Sequence, residues 1–469
     1  MKNKLTNNKI KFLLLTLLLL ASTFVQARLG GGGGSSSNSD SGNGDGLGAI
    51  VYIVFRVLGI KGIIVLVVLY FIYQWYTKRQ NKNKSSDPFT GNNFVNTTNS
   101  NNFDFPEGLN PDKVQTAFLE MQNAWQNQDL GSVRKWMSDG LYQKFSVQIK
   151  MMEKLAQHNK MDNIRIQNIA VANVFSFNDY QIADVKIEFM LNDTFYSDKF
   201  KSMDESFNND YATEFYSFIK KGNKIETDSN LYSGNNCPNC GAMISIDLGD
   251  ICRCPNCKTL TNNPTYDWVL CEITQEENYN DESQLNYDEQ LKEQTKFDDD
   301  FNIQSLEDVA SNISMQILDV LTGGKIVKLE RFAHQGLKNS ILSIKEKSFK
   351  DIVFDRLFLK EVTTQNYSIT DNNSLEIDFY VEAMAKRVRL ENDKLTIIDN
   401  DFITFSIYLS LLKTIQTKVS DTKDVVYSYE CSNCGAPYDD TTHDTCNYCD
   451  AIVVDESKNW ILSKFEINL

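Results

Sequence analysis

Eight of the ten cysteines fall into four C-x2-C pairs, and no other feature limits so sharply what this chain can fold into. Cys237 and Cys240 are followed by Cys254 and Cys257 with the spacing C-x2-C-x13-C-x2-C, and Cys431 and Cys434 by Cys446 and Cys449 with C-x2-C-x11-C-x2-C. A C-x2-C turn sets two thiolates on one ion while backbone amides point at the sulfurs, and two such turns complete a tetrahedron. Gly241 and Gly435 follow the leading pairs, where glycine relieves a tight turn. Four sulfur ligands leave no position for water. The expected sites are therefore structural, holding small ribbons over 237–257 and 431–449 that lack cores of their own. Zinc is the expected ion in both, with rubredoxin-like iron and paired disulfides as the alternatives.

The ribbons close two similar stretches of chain. Val185, Ile187, Phe189 and Leu191 alternate as a half-buried strand, and Leu375, Ile377, Phe379 and Val381 do the same 190 positions later. Cys237 and Cys431 lie 194 apart, and Trp268 and Trp460, in Asp-Trp-Val-Leu and Asn-Trp-Ile-Leu, lie 192 apart. So long a period indicates a duplicated domain rather than a solenoid. The first copy, 109–274, opens with Asn110 as N-cap, Pro111 at the first helical position and the stripe Val114, Phe118, Met121, Trp125. Ser138 caps a second helix with the stripe Leu141, Phe145, Ile149, Met152, and strands are expected over 164–174, 183–191 and 215–219. The second copy, 304–469, matches with Leu306, Val309, Ile313, Ile317 and Val320, then a helix over 326–342. Helices followed by a meander of strands predict an α+β fold, with helices on one face of an antiparallel sheet. The acidic stretch 275–303 between the copies is read as a solvated linker.

The N-terminus reads as targeting. Lys2, Lys4, Lys9 and Lys11 precede an apolar run ending Val25-Gln26-Ala27, the plan of a signal peptide or a short retained anchor over 1–27. A Gly/Ser-rich tether, 28–48, leads to an apolar segment over 49–76, long enough to span a bilayer as one transmembrane helix. Lys78, Arg79, Lys82 and Lys84 follow it, so the positive-inside rule places the rest in the cytoplasm of a single-pass plasma (inner) membrane protein, beyond a linker over 77–108. That compartment disfavours disulfides.

A net charge of −15 argues against nucleic acid as a partner, because phosphate neutralisation needs clustered Lys and Arg. The second ribbon repeats the point, with Asp439, Asp440, Asp444 and Asp450 and no Lys or Arg between Cys431 and Cys449. Of the other cysteines, Cys252 sits where it could swap register with Cys254, the simpler reading being a bystander, and Cys271 reads as a small buried residue. His158 and His334 fall in segments read as helical, without a visible partner, and His443 lies in a ribbon that already has four cysteines. Asp184 is read as a strand-surface carboxylate.

The helix at 111–128, the segment Val133-Arg134-Lys135-Trp136-Met137-Ser138-Asp139-Gly140-Leu141-Tyr142, the alternating strands and the closing Tyr266-Asp267-Trp268-Val269-Leu270 resemble the C-terminal domain of mitochondrial inner-membrane translocase subunit 44, in its bacterial membrane-anchored form. The resemblance implies a cone-shaped fold like nuclear transport factor two, with helices against a curved sheet around an apolar pocket, and a scaffold that recruits protein partners at a membrane. The duplication, the ribbons and the transmembrane anchor depart from the mitochondrial pattern. Because each ribbon precedes a tryptophan-bearing strand, it is expected as an insertion between the last two strands of its sheet.

The function expected is that of a non-enzymatic scaffold or protein-binding module, tied to protein transport or membrane-complex assembly, whose partners are the bilayer and an unidentified protein. The alternatives are a carrier of a lipid or small apolar molecule, and a pocket enzyme of the isomerase or dehydratase type. No Asp/His dyad recurs in both copies to favour the enzyme.

Overall fold

The computed structural model of the protein describes residues 103–177, 179–222, 230–244, 252–279, 301–370, 373–414, 431, 436, 445–454 and 459–469. The segments read as signal, tether and membrane helix, and nearly all of the 77–108 linker, lie outside the described residues. Among those described, no helix is long and apolar enough to cross a membrane.

Helix α1 (Pro111–Gln126) starts where the cap predicts, with Asn110 Oδ1 accepting the Lys113 N–H at 2.8 Å. Ser138 caps α2 (Asp139–Lys154), its hydroxyl accepting the Leu141 N–H at 3.1 Å. The helix stops at Lys154 because Ala156 takes a φ of 46°, which turns the chain into a strand. The strands β1 (Gln157–Phe177), β2 (Tyr180–Ser197), β3 (Glu205–Lys221) and β4 (Val269–Gln275) form an antiparallel sheet in that order. Val185, Ile187, Phe189 and Leu191 lie on the core face of β2, as a period of two requires. All three expected strands run several residues beyond their predicted ends.

The second half follows the same order. Helices α3 (Ile303–Leu321) and α4 (Gln335–Ser348) precede β5 (Ile352–Ile369), β6 (Ser374–Glu391), β8 (Ile403–Thr414) and β9 (Ile461–Asn468), with a short β7 (Lys394–Ile397) beside β6. The stretch expected as one helix over 326–342 is a 3-10 turn, Ile326–Arg331, followed by α4, because His334 is extended (ψ 157°) and starts a new helix. The described residues are thus α+β, with helices and two antiparallel sheets, one per half.

Small details recur at matching places. Met137 and Ala333, each just before the N-cap of the second helix of its half, make parallel bridges to Leu270 and Leu462 on the closing strands. Ser217 and Ser410 donate to Asp184 and Asp378, both at 2.6 Å, while Cys271 Sγ and Ser463 Oγ donate to the carbonyls of those serines at 3.2 and 3.1 Å.

The described residues form one compact unit, and its two halves share their cores. Leu141, Phe145, Ile149 and Met152 of α2 pack into the first-half core with Phe118, Trp125 and Phe189. The next face of the same helix, Val147 and Met151 with Leu155 beyond its end, belongs to the second core around Leu306, Ile313 and Ile317 of α3. The helices run with like ends together, and each has a terminus capped by the other. Asp308 of α3 accepts from Ser138 Oγ at 2.7 Å and from the Gly140 N–H at 2.9 Å at the start of α2, and Lys154 of α2 donates to the Thr322 carbonyl at 2.9 Å at the end of α3. A carboxylate at a helix N-terminus and an ammonium at a C-terminus both oppose the helix dipole favourably. Gly140 permits the approach, since a Cβ there would sit 2.3 Å from Asp308 atoms.

Candidate metal centres

The first cysteine segment lies between β3 and β4, neighbouring strands of one sheet, and the second between β8 and β9. The base of the first is part of the protein core. Leu231 and Tyr232 are buried, Tyr232 stacks on Trp136 at 5.0 Å, and its hydroxyl donates to the Trp268 carbonyl at 2.7 Å. Lys135 ties the neck down by donating to Gly234 O and Asn235 Oδ1 at 2.7 and 2.8 Å. The Trp136 and Trp268 positions of the resembling segments are therefore the seat on which the ribbon is mounted.

Each cysteine pair sits in the same turn. Cys237 N–H donates to Ala242 O at 2.7 Å and Gly241 N–H returns to Cys237 O at 2.9 Å; Cys254 N–H donates to Thr259 O at 2.9 Å and Lys258 N–H returns to Cys254 O at 3.0 Å. The residue after the second cysteine must take positive φ, 72° at Gly241 and 64° at Lys258. The two turns bring the four sulfurs of Cys237, Cys240, Cys254 and Cys257 within 4.8 Å of one another. Cys237 and Cys257 are 3.6 Å apart and Cys240 and Cys254 3.8 Å. A disulfide needs about 2.05 Å, whereas a tetrahedron with zinc–sulfur bonds of 2.3 Å has edges of about 3.8 Å. The quartet has the dimensions of a metal site.

Two asparagines that the spacing argument passed over complete the arrangement. Asn239 Nδ2 lies 3.6 Å from Cys257 Sγ and Asn256 Nδ2 3.5 Å from Cys240 Sγ, so each amide reaches the far cysteine of the opposite knuckle. The signal was the identical Cys-Pro-Asn-Cys text of both pairs. The Thr259 hydroxyl and backbone, with Asn239, hold the Cys257 thiol down at about 6, and the Ala242 N–H lowers Cys240, while burial raises Cys237 to about 12.

In the second segment the described cysteines Cys431, Cys446 and Cys449 also lie within 4.8 Å of one another, with Cys431 and Cys449 3.5 Å apart. Cys434, the fourth expected ligand, and His443 lie outside the described residues. The turns match the first ribbon: Cys431 N–H donates to Ala436 O at 2.7 Å, Cys446 N–H to Ala451 O at 2.8 Å, and Asp450, at φ 58°, returns to Cys446 O at 2.9 Å. Both clusters can accommodate a metal such as zinc.

The remaining candidates fall away from these sites. Cys252 is buried and its thiol donates to Arg134 O at 2.8 Å, which makes it part of the seat rather than a ligand. Cys271 is buried in β4 as expected. His158 is on β1, not on a helix, because α2 ends early; it pairs with Asp198 at 3.2 Å and stacks on Tyr196. Asp184 is not a surface carboxylate but is 3% exposed, held by Ser217 and by Tyr279, which stacks on Phe215 at 3.7 Å and so docks the start of the acidic stretch on the sheet.

A cavity of about 110 Å3 opens beside the first ribbon's seat, walled by Asn262 and Pro264 of the ribbon's return, Ser138 and Asp139 of α2, and Gln304 and Asp308 of α3. Behind it lie Lys144 and Glu272, both buried. Burial raises Glu272 and Asp308 to about 7 and lowers Lys144 to about 8, against the mutual attraction of these groups.

None of the curated proteins matches this chain. Among solved structures, a chain described as "Ntf2 like protein involved in plasmid conjugation" aligns with 61% of this chain and 89% of its own length at 8% identity, but the TM-score of 0.12 carries no argument about fold. Residues 99–215, which span α1, α2, β1, β2 and most of β3, match the family model of the Tim44-like domain.

Proposed function

We propose that this protein is a membrane-anchored, non-enzymatic scaffold whose two α+β modules arose by duplication and are each stapled by a structural four-cysteine zinc site, presenting a protein-binding surface on the cytoplasmic side of the inner membrane. The anchor is the apolar segment 49–76, and the basic residues after it set the orientation. The zinc ligands are Cys237, Cys240, Cys254 and Cys257 in the first ribbon and Cys431, Cys434, Cys446 and Cys449 in the second. The duplication is supported by the matching bridges and serine–aspartate pairs of the two halves.

The observation that carries the scaffold reading over a carrier is the filled interior of the first sheet. Phe118 sits 4.7 Å from Phe189 and 5.9 Å from Tyr216, ring to ring, with Met121, Trp125 and Phe145 buried around them. A carrier needs an open cavity of several hundred Å3 there. The Tim44-like match over the same residues points to the same class of protein-binding module.

Because the halves share cores, the partner test uses the intact chain and not a truncation. Crosslinking and affinity capture from native membranes are compared for the wild type and for a chain with Cys431, Cys434, Cys446 and Cys449 changed to serine. A defined set of proteins that depends on the second ribbon is the expected result, and co-purification of only a lipid or metabolite would refute the scaffold. Deleting residues 49–76 should move the protein to the soluble fraction.

A further inference from the structure

We propose that the second sheet, on the face turned away from its core, binds a basic segment of a partner protein through one tyrosine, whose ring stacks on Tyr408 and whose hydroxyl donates to Asp378. This inference rests on the reading above that the chain is a protein-binding scaffold, and it names where the second half holds the partner.

The first half shows what such a place takes. Just after β4, Tyr279 lays its ring on Phe215 with centroids 3.7 Å and planes 2° apart, and its hydroxyl donates to Asp184 Oδ2 at 3.1 Å while Ser217 occupies Oδ1. Phe215 is left 7% exposed. The second sheet repeats the place in register. Asp378 stands opposite Ser410 across β6 and β8 as Asp184 stands opposite Ser217 across β2 and β3, and Tyr408 precedes its serine by two residues as Phe215 does. Ser410 again donates to Oδ1 of the carboxylate, at 2.6 Å. Here, however, Tyr408 is 44% exposed, and among the described residues no donor reaches Asp378 Oδ2. Tyr380, where the first half has Lys186, extends the aromatic surface, its ring 5.2 Å from that of Tyr408. A flat ring and a carboxylate oxygen are thus presented together, in the arrangement that a tyrosine satisfies in the first half.

The surroundings set the charge of the partner. Lys360 pairs with Glu382, and Lys464 with Glu376 at 2.8 Å, so the cations of this face are already matched. Glu466, directly opposite Tyr408, and Glu361, opposite Glu382, have no ion pair among the described residues. With Asp378 they make the face acidic, which favours a segment carrying Lys or Arg and repels one such as Glu276-Glu277-Asn278-Tyr279, the filler of the first half. The stacked ring and the carboxylate specify the tyrosine, and the unmatched acids specify the basic residues beside it.

A random peptide library displayed on phage is selected on the full chain in detergent, after depletion on the Tyr408→Ala variant. Enrichment of peptides with a tyrosine beside Lys or Arg is expected. A fluorescein-labelled synthetic copy of the most enriched peptide should bind about tenfold more weakly to Asp378→Asn, and about tenfold more weakly when its own tyrosine is changed to phenylalanine, because each change removes the same hydrogen bond to a charged group. Combining the two changes should add little further loss. The change in the peptide cannot disturb the fold of the protein. Failure to enrich, enrichment of peptides without tyrosine, or tyrosine peptides indifferent to Asp378→Asn overturns the proposal. A dimer mass in light scattering that Tyr408→Ala halves makes a second copy the occupant, and overturns it as well. A partner set captured from native membranes that is unchanged by Tyr408→Ala overturns this placement and leaves the scaffold standing, whereas capture of only a lipid refutes the scaffold itself.

Discussion

Replacing Asp308 by asparagine tests whether the joint between the halves is held by the carboxylate at the start of α2. The side chain is half-buried on the cavity wall, accepts from Ser138 and Gly140, and lies within electrostatic reach of Lys144 and Asp139. Burial raises it from 3.8 to about 7, so the folded protein holds this proton more tightly than the unfolded chain does. The stability tied to it is therefore fully present below about pH 4 and is lost as pH rises through 7. The whole displacement is worth roughly 4 kcal/mol, but water in the cavity relieves part of the cost, and about 2 kcal/mol is the expected loss. Within the titration window the slope approaches about 1.4 kcal/mol per pH unit. Asparagine keeps the shape and one accepting oxygen but cannot titrate. Urea unfolding of the detergent-solubilised chain, followed by tryptophan fluorescence from pH 5 to 8, should show a falling wild-type stability and a flatter Asp308→Asn profile, so that the variant gains on the wild type as pH rises. Parallel profiles would refute the assignment.

Three further outcomes follow from the same joint and from the ribbons. Gly140→Ala should destabilise by about 2 kcal/mol although alanine favours helix, because its Cβ would meet Asp308; a stabilised variant in thermal unfolding would mean the halves do not close there. Lys154→Ala removes the donor to Thr322 O and a cation near Asp319, and should cost about 1 kcal/mol in urea, whereas an unchanged midpoint would show the C-terminal cap to be idle. Cys252→Ser should leave the bound metal per chain unchanged while Cys254→Ser lowers it by one equivalent, and loss of metal in both would make Cys252 a ligand.

The sequence alone determined what is periodic or local. The caps at Asn110 and Ser138 need only their own first turn, the strand of Val185 to Leu191 needs only alternation, and the C-x2-C spacing needs only the geometry of a knuckle, so each could be read from a few neighbouring residues. The insertion points of the ribbons followed from the Trp268 and Trp460 strands that close each sheet. Tertiary structure decided what depends on residues far apart in the chain. That α2 has two buried faces was hidden, because Val147 and Met151 look like ordinary interruptions of one stripe until α3 arrives to cover them. The acidic Asp308 on an apolar helix, the glycine at 140 and the buried Lys144 have no local reason to exist. They are explained only where a carboxylate from one half closes the open amides of a helix in the other, since buried polar groups must be satisfied from whichever part of the chain packs against them.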